Sequence, residues 1–203
     1  MNYSERLFDV FMSPLEAAGL ARLRARMLGE ASGRVLEIGA GTGANLPFYD
    51  WSRVRSLTLT DVEPARLLRL RANAACRGRC VVSAADVHRL PFASDCFDTV
   101  VVTLVLCSVA VQLVALTELA RVLSQSGRLI LIEHVRPPGA LGVLADRLNP
   151  AWYACNGECR INRNTLESVR AAGFAIDSCS SHGRGALVAA IASHARETGQ
   201  AEL

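Results

Sequence analysis

A chain of 203 residues accommodates one α/β domain with a complete core and leaves little room for a second. Its net charge is +3 and all 22 basic residues are arginine, so lysine is excluded as base, nucleophile or Schiff-base former, and proton transfer falls to His, Asp, Glu, Cys or Tyr. The arginines form no run beyond the alternating Arg22, Arg24 and Arg26, a pattern of solvated helix faces that argues against a nucleic-acid surface.

The amino-terminal stretch reads as two helices, Ser4–Met12 and Pro14–Leu28, the second capped by Ser13 with Pro14 in its first turn. Leu7, Phe8, Phe11 and Met12 form an apolar face on the first, and Leu20, Leu23, Met27 and Leu28 on the second. These faces either pack on the domain or close over a site as a lid. The strand Val35–Ile38 then runs into Gly39-x-Gly41-x-Gly43, with a helix expected from about Ala44. Such a turn needs glycine because positive φ and close approach of backbone to a ligand leave no room for a β-carbon, so it should touch a nucleotide-like cofactor. Gly39-x-Gly41-x-x-Ala44 also fits the dinucleotide pattern, but Glu37 stands at the strand end where a dinucleotide fold keeps an apolar residue.

Ser56–Thr60 alternates and ends at Asp61, a second strand whose terminal acid either accepts hydrogen bonds from both hydroxyls of a ribose or caps the helix from Pro64 to about Ala75. Cys80–Ala84 forms a third strand that ends near Asp86. The uncharged segment Thr99–Thr117 approaches bilayer-spanning length, yet it divides into a β-branched strand, Thr99–Thr103, a loop, Leu104–Ser108, and a helix from about Val111 to Leu123 that carries Glu118 and Arg121. A turn at Gln125-Ser126-Gly127 precedes a fifth strand, Arg128–Ile132, which ends at Glu133-His134. Ligands of open α/β sheets lie beyond the carboxyl ends of the strands, which places the Leu104–Ser108 loop at the reaction site. Pro137–Asn164, with Pro137-Pro138, Pro150 and Gly157, is the least regular stretch. Thr165–Ala172 is a helix stopped by Gly173, Phe174–Ser180 and Ala186–Ala192 are closing strands, and the end frays from about His194.

The chain has seven cysteines, an odd number, which with no signal peptide favours free thiols in a reducing compartment. Cys76/Cys80 and Cys155/Cys159 share a C-x-x-x-C spacing, but without nearby histidines the pairs are weak zinc candidates and no metal is expected.

Glu37-x-Gly39-x-Gly41-x-Gly43, Asp61, Asp86 with Leu90-Pro91-Phe92, and Phe97-Asp98, in this order, resemble the motifs of the class I S-adenosylmethionine methyltransferases. The resemblance implies an α/β, Rossmann-like fold: a seven-stranded, mostly parallel sheet with helices on both faces. It implies one domain over residues 1–203, with residues 1–30 as a helical cap and 137–164 as an insertion that supplies the acceptor pocket. S-adenosylmethionine would be the cofactor and S-adenosylhomocysteine the product. Glu37, Gly39, Gly41, Gly43, Asn45, Asp61, Val62, Asp86, Val87, Thr103 and Leu104 would hold it.

Thr103-Leu104-Val105-Leu106-Cys107-Ser108-Val109, Glu133-His134-Val135, Asn149-Pro150-Ala151-Trp152 and Cys159-x-x-x-Arg163-x-Thr165 are similar to the methyltransferase-like seven group. That group comprises the thiol S-methyltransferases of animals and many bacterial relatives. It implies a small, apolar methyl acceptor, first of all a thiol. Alternatives are a phospholipid amine or a small-molecule oxygen or nitrogen acceptor, or, in another class, a non-catalytic cofactor-binding sensor. His134 is then either the base or thiolate partner, or an imidazole that positions a loop. Phe11, Leu106, Cys107, Trp152 and Tyr153 wall the acceptor pocket or pack in the core. The animal members carry a hydrophobic N-terminal anchor that is not seen here. The expectation is a cytoplasmic protein with no transmembrane segment and no nucleic-acid partner, with peripheral membrane contact left open.

Overall fold

The computed structural model describes residues 19–72, 78–156 and 159–196. The expected Ser4–Met12 helix and Phe11 lie outside these residues, and of the second expected helix α1 covers Ala21–Leu28. The strands are β1 (Gly33–Ile38), β2 (Val54–Asp61), β3 (Cys80–Ala84), β4 (Phe97–Thr103), β5 (Leu123–His134), β6 (Phe174–His182) and β7 (Leu187–His194). The helices that follow α1 are α2 (Pro64–Ala72), α3 (Gln112–Val122), α4 (Gly139–Asn156) and α5 (Thr165–Ala171).

Val100-Val101-Val102 and Leu129-Ile130-Leu131-Ile132 are apolar at every position, the pattern of strands covered on both faces. They sit at the centre of a seven-stranded sheet ordered β3-β2-β1-β4-β5-β7-β6, in which only β7 runs antiparallel to its neighbours among the described strands. Because side chains alternate across a strand, each strand feeds two layers. Leu36, Val100, Val102, Leu129 and Leu131 join Leu116, Leu119 and Val122 of α3 and Val169 of α5 in one layer. Val35, Leu57, Leu59, Val101, Ile130 and Ile132 join Leu23 and Met27 of α1 and Leu67 and Leu70 of α2 in the other. The expected doubly covered, mostly parallel sheet is therefore what forms.

Three local expectations are corrected. No α-helix starts near Ala44: the turn tightens into a 3-10 helix at Leu46–Phe48, where Leu46 N–H bonds the Gly43 carbonyl and Phe48 N–H the Asn45 carbonyl. The chain becomes extended again at Tyr49, whose hydroxyl is anchored on Glu37. Gln125-Ser126-Gly127 is not a turn ahead of β5 but an irregularity within it, since Leu123 already pairs with Phe97 before Arg128 pairs with Thr99. The stretch expected to be irregular contains the 18-residue α4, with Pro150 inside it. An interior proline costs a helix about 3 kcal/mol. Here the turns before Pro150 are tied by the segments that enter and leave the helix: Ile161 N–H donates to Asn149 Oδ1 at 3.0 Å, and Arg136 and Asn162 both donate to the Asp146 carboxylate.

The layer under α3 sets the stability of the platform. Leu119→Ala, at a fully buried position, is expected to cost about 2–5 kcal/mol in urea unfolding, whereas Leu113→Ala on the exposed side of the same helix should stay within about 0.5 kcal/mol.

Candidate active site

Parallel register brings the carboxyl ends of four strands to one level: Ile38 pairs with Thr60 and with Val102, and Thr103 pairs with Ile132. Strand order reverses between β1 and β4, so a crevice opens there, the place where open α/β sheets bind ligands. Gly39 (φ 62°) and Gly41 (φ 57°) make the turn that leaves β1. A β-carbon on Gly39 would stand 2.5 Å from Val105 Cγ2, so the turn is packed against the loop after β4. On Gly41 a β-carbon would meet nothing nearer than the Gly39 carbonyl at 3.9 Å among the described residues, so the backbone there is uncrowded by them. Gly43 (φ 86°) donates its N–H to the Ala40 carbonyl at 2.9 Å and completes the turn.

Asp61, 2% exposed, ties the turn to β2: its Oδ2 accepts the Gly41 N–H and its Oδ1 the Glu63 N–H, each at 2.9 Å. The Arg66 guanidinium lies 3.9 Å from Oδ1. Beneath the turn lies Glu37, also 2% exposed, whose Oε1 accepts from Asn45 Nδ2 at 3.0 Å and Oε2 from the Tyr49 hydroxyl at 2.7 Å. Asn45 further joins Arg24 and Thr103. Burial pushes the Glu37 carboxyl up to about 7 against the pull of Tyr49, Asn45 and the Arg24 charge. Of the other cofactor candidates, Val62 and Asp86 are exposed, Val87 is buried in the core, and Thr103 and Leu104 line the end of β4. Asp86 is held below the usual carboxylate range by the His88 backbone N–H and imidazole.

The loop after β4 depends on a residue that the sequence reading passed over. Glu133, fully buried, accepts the backbone N–H of Val105 and Leu106 on Oε1 and of Cys107 on Oε2, at 2.8, 3.0 and 3.2 Å. Burial lifts its carboxyl to about 7 while these three N–H bonds oppose the shift. Leu104, with φ 57°, takes the left-handed conformation that starts the loop. The available signal was an acid within an otherwise apolar buried strand, which needs several donors to be tolerated.

The loop delivers Cys107 to His134 and to Cys159, which returns from α4. Cys159 Sγ lies 3.6 Å from His134 Nδ1, and Arg160 N–H donates to the Cys107 carbonyl at 3.0 Å. Cys159 is held below the ordinary thiol range by hydrogen bonding from Cys107 and then His134, while the same contact with Cys159, together with burial, pushes Cys107 up. Burial lowers the imidazole of His134, but the hydrogen bond and charge of Cys159 outweigh it and the net shift is upward. Arg163 stands close enough to act electrostatically on Cys107, Cys159 and Glu133 and donates to the Val109 carbonyl at 2.6 Å. His134 also lines a cavity of about 270 Å³ with Pro137, Ala145, Trp152, Ile161 and Ala186. Of the acceptor-pocket candidates, Trp152 is on this wall, Cys107 is beside it through Cys159, Leu106 is core beneath the loop, and Tyr153 lies on α4 under the Arg160 guanidinium.

Residues 36–131 match the family described as Methyltransferase domain. The chain is 31% identical over 184 residues to thiol S-methyltransferase TMT1B of Mus musculus, covering 82% of this chain and 75% of that protein. The chain belongs to the S-adenosylmethionine-dependent methyltransferases. It is 34% identical over 146 residues to TMT1B of Rattus norvegicus, a stretch that spans 69% of this chain and 59% of that relative. Phosphatidylethanolamine N-methyltransferase of Cereibacter sphaeroides is 31% identical over 131 residues, 63% of this chain and 64% of that one. Among solved structures, an S-adenosylmethionine-dependent methyltransferase from Mesorhizobium loti superimposes with a TM-score of 0.69 at 18% identity, covering 84% of this chain and 95% of the other. The residues present fit the family's cofactor: among the described residues the backbone at Gly41 is uncrowded, and the Asp61 carboxylate stands beside it.

The buried acid under the turn gives the fold a pH signature. The folded Glu37 carboxyl titrates at about 7 against an ordinary 4.5, so its contribution is fully present below the lower value and is lost as pH rises through the higher one. Glu37→Gln should therefore lose less stability than the parent between pH 5 and 8 in urea titrations. Parallel losses in the two proteins would contradict a perturbed Glu37.

Proposed function

We propose that this methyltransferase transfers the cofactor's methyl group to a small apolar thiol. The observation that carries the reading is the apolar cavity at the end of β5, on whose wall His134 is the ionisable side chain among the lining residues. The thiol S-methyltransferase relatives support the choice of acceptor.

The turn Gly39–Gly43, Asn45, Asp61, Val62, Asp86, Val87, Thr103 and Leu104 would hold S-adenosylmethionine, with Glu37 bracing the turn from below. When bound, the cofactor supplies a methyl group on a sulfonium centre, already activated as an electrophile. The protein then has to align an acceptor and exclude water. Pro137, Ala145, Trp152 and Ile161 provide apolar walls that do both. A thiol needs little beyond deprotonation, since its unperturbed pKa is about 8.5. His134, on the cavity wall, is the side chain that would take the thiol's proton or pair with the thiolate. Such a protein belongs in a reducing cytoplasmic setting, consistent with free cysteines among the described residues. No helix among those residues is long and apolar enough to cross a membrane.

The test is methyl transfer from labelled S-adenosylmethionine to a panel of alkyl and aryl thiols, phosphatidylethanolamine, small amines and phenols. Turnover of apolar thiols in preference to the rest is expected. Preferred turnover of an amine or phenol would contradict the thiol assignment, and tight cofactor binding with no transfer would make the protein a sensor. Asp61→Ala should weaken cofactor binding by about 1.5–3 kcal/mol in calorimetric titration.

A further inference from the structure

Three potential ligands from three separate parts of the chain meet beside the cavity, whose wall one of them, His134, helps to form. Cys107 comes from the loop after β4, His134 from the last position of β5, and Cys159 from the segment that follows α4. The two sulfurs and an imidazole nitrogen all lie within 4.8 Å of one another. Both ends of the cluster are fixed by backbone: Glu133 accepts the Cys107 N–H, and Arg160, next to Cys159, donates its N–H to the Cys107 carbonyl.

Two thiols and an imidazole form a borderline-soft donor set, which suits zinc and does not suit magnesium or calcium. Zinc binds sulfur at about 2.3 Å and imidazole nitrogen at about 2.0 Å, so tetrahedral angles place a sulfur and a nitrogen ligand about 3.5 Å apart and two sulfurs about 3.8 Å apart. The separation between Cys159 Sγ and His134 Nδ1 is 3.6 Å. The 4.8 Å limit on the cluster accommodates the sulfur pair as well. Three protein ligands leave a fourth position, the arrangement of reactive zinc sites rather than of closed structural ones. His134 also forms part of the cavity wall, so the ion would border the space assigned to the acceptor.

We propose that Cys107, His134 and Cys159 bind a zinc ion whose open fourth position takes the sulfur of the methyl acceptor. The inference deepens the thiol reading and rests on it for the identity of the fourth ligand. The acceptor R–SH releases its proton to solvent as the sulfur coordinates. A sulfur lone pair then forms the new S–CH3 bond while the bond between methyl carbon and sulfonium sulfur breaks, its electron pair staying on that sulfur. The product R–S–CH3 is a neutral thioether, a poorer ligand than a thiolate, and it leaves the ion.

The experiment uses the full chain, reduced and stripped of metal, titrated with Zn²⁺ against a chromogenic chelator and with Co²⁺ as a spectroscopic probe. One ion per chain is expected, with cobalt showing tetrahedral visible bands and sulfur-to-cobalt charge transfer. Thiophenol should raise the charge-transfer intensity by about half, as two thiolates become three. Cys107→Ser and Cys159→Ser should each weaken zinc binding roughly 100-fold or more, while Cys155→Ser, at an exposed thiol outside the cluster, binds as the parent does. Circular dichroism of each variant separates loss of ligand from loss of fold. Zinc binding no tighter than that of the Cys107→Ser/Cys159→Ser double variant, or a cobalt spectrum indifferent to thiophenol, would overturn the proposal. So would thiol methylation at an equal rate with and without zinc, an outcome that leaves the thiol reading standing. Zinc bound with the thiophenol response present, but no thiol methylated, supports the ion site and removes the thiol reading instead.

Discussion

The site depends on a carboxylate buried where water does not reach. Glu133 at the end of β5 is fully buried, and it is tolerated there because three consecutive backbone N–H groups, those of Val105, Leu106 and Cys107, converge on it. Those N–H groups belong to a loop that begins with Leu104 in a left-handed conformation and so lacks the regular bonding of helix or strand. Acid and loop solve each other's problem: the loop solvates the charge, and the charge fixes the loop. The consequences extend in two directions. Val105 packs against Gly39 closely enough to forbid a β-carbon there, which links the loop to the glycine turn. Cys107 is placed beside His134 and Cys159, which links it to the cavity that His134 lines.

Glu37 plays the corresponding part under the other half of the crevice. Its two oxygens hold Asn45 and Tyr49, and Asn45 continues to Arg24 on α1 and to Thr103 at the end of β4. The glycine turn is thereby connected to a helix on one face of the sheet and to a strand across the switch point. Two buried acids thus brace two irregular turns on adjoining strand ends. Rigid turns of this kind allow a methyl donor and an acceptor to be held in fixed relation, which is most of what transfer from a sulfonium requires.

Much of this was legible in the sequence, for reasons that differ by element. The central strands could be read because Val100–Val102 and Leu129–Ile132 are apolar without alternation, and the turn because glycine recurs where the backbone takes positive φ. Asp61 was found as a strand-end acid, although its link to the Gly41 N–H depends on a neighbouring strand and could not be read from spacing. α4 was missed because Pro150 outweighed the apolar residues around it; the bonds that sustain the helix come from Arg136 and from residues 161–162, beyond both of its ends. The cysteine cluster was missed for a similar reason. Spacing drew attention to Cys155/Cys159, but the fold pairs Cys159 with Cys107 and His134, brought together by β4 and β5 lying side by side and by the chain after α4 returning to bond the Cys107 carbonyl.

Amide hydrogen exchange in the parent and in Glu133→Gln tests the central constraint most directly. A glutamine offers one acceptor oxygen to three donors and adds an N–H₂ group that the loop has no use for. The account predicts that Val105, Leu106 and Cys107 are protected in the parent and exchange about 10–100-fold faster in the variant, as expected for losing hydrogen bonds to a charged group, while Val100–Val102 keep their protection. Equal exchange at Val105–Cys107 in the two proteins would contradict it, because the loop would then owe its shape to something other than the buried acid.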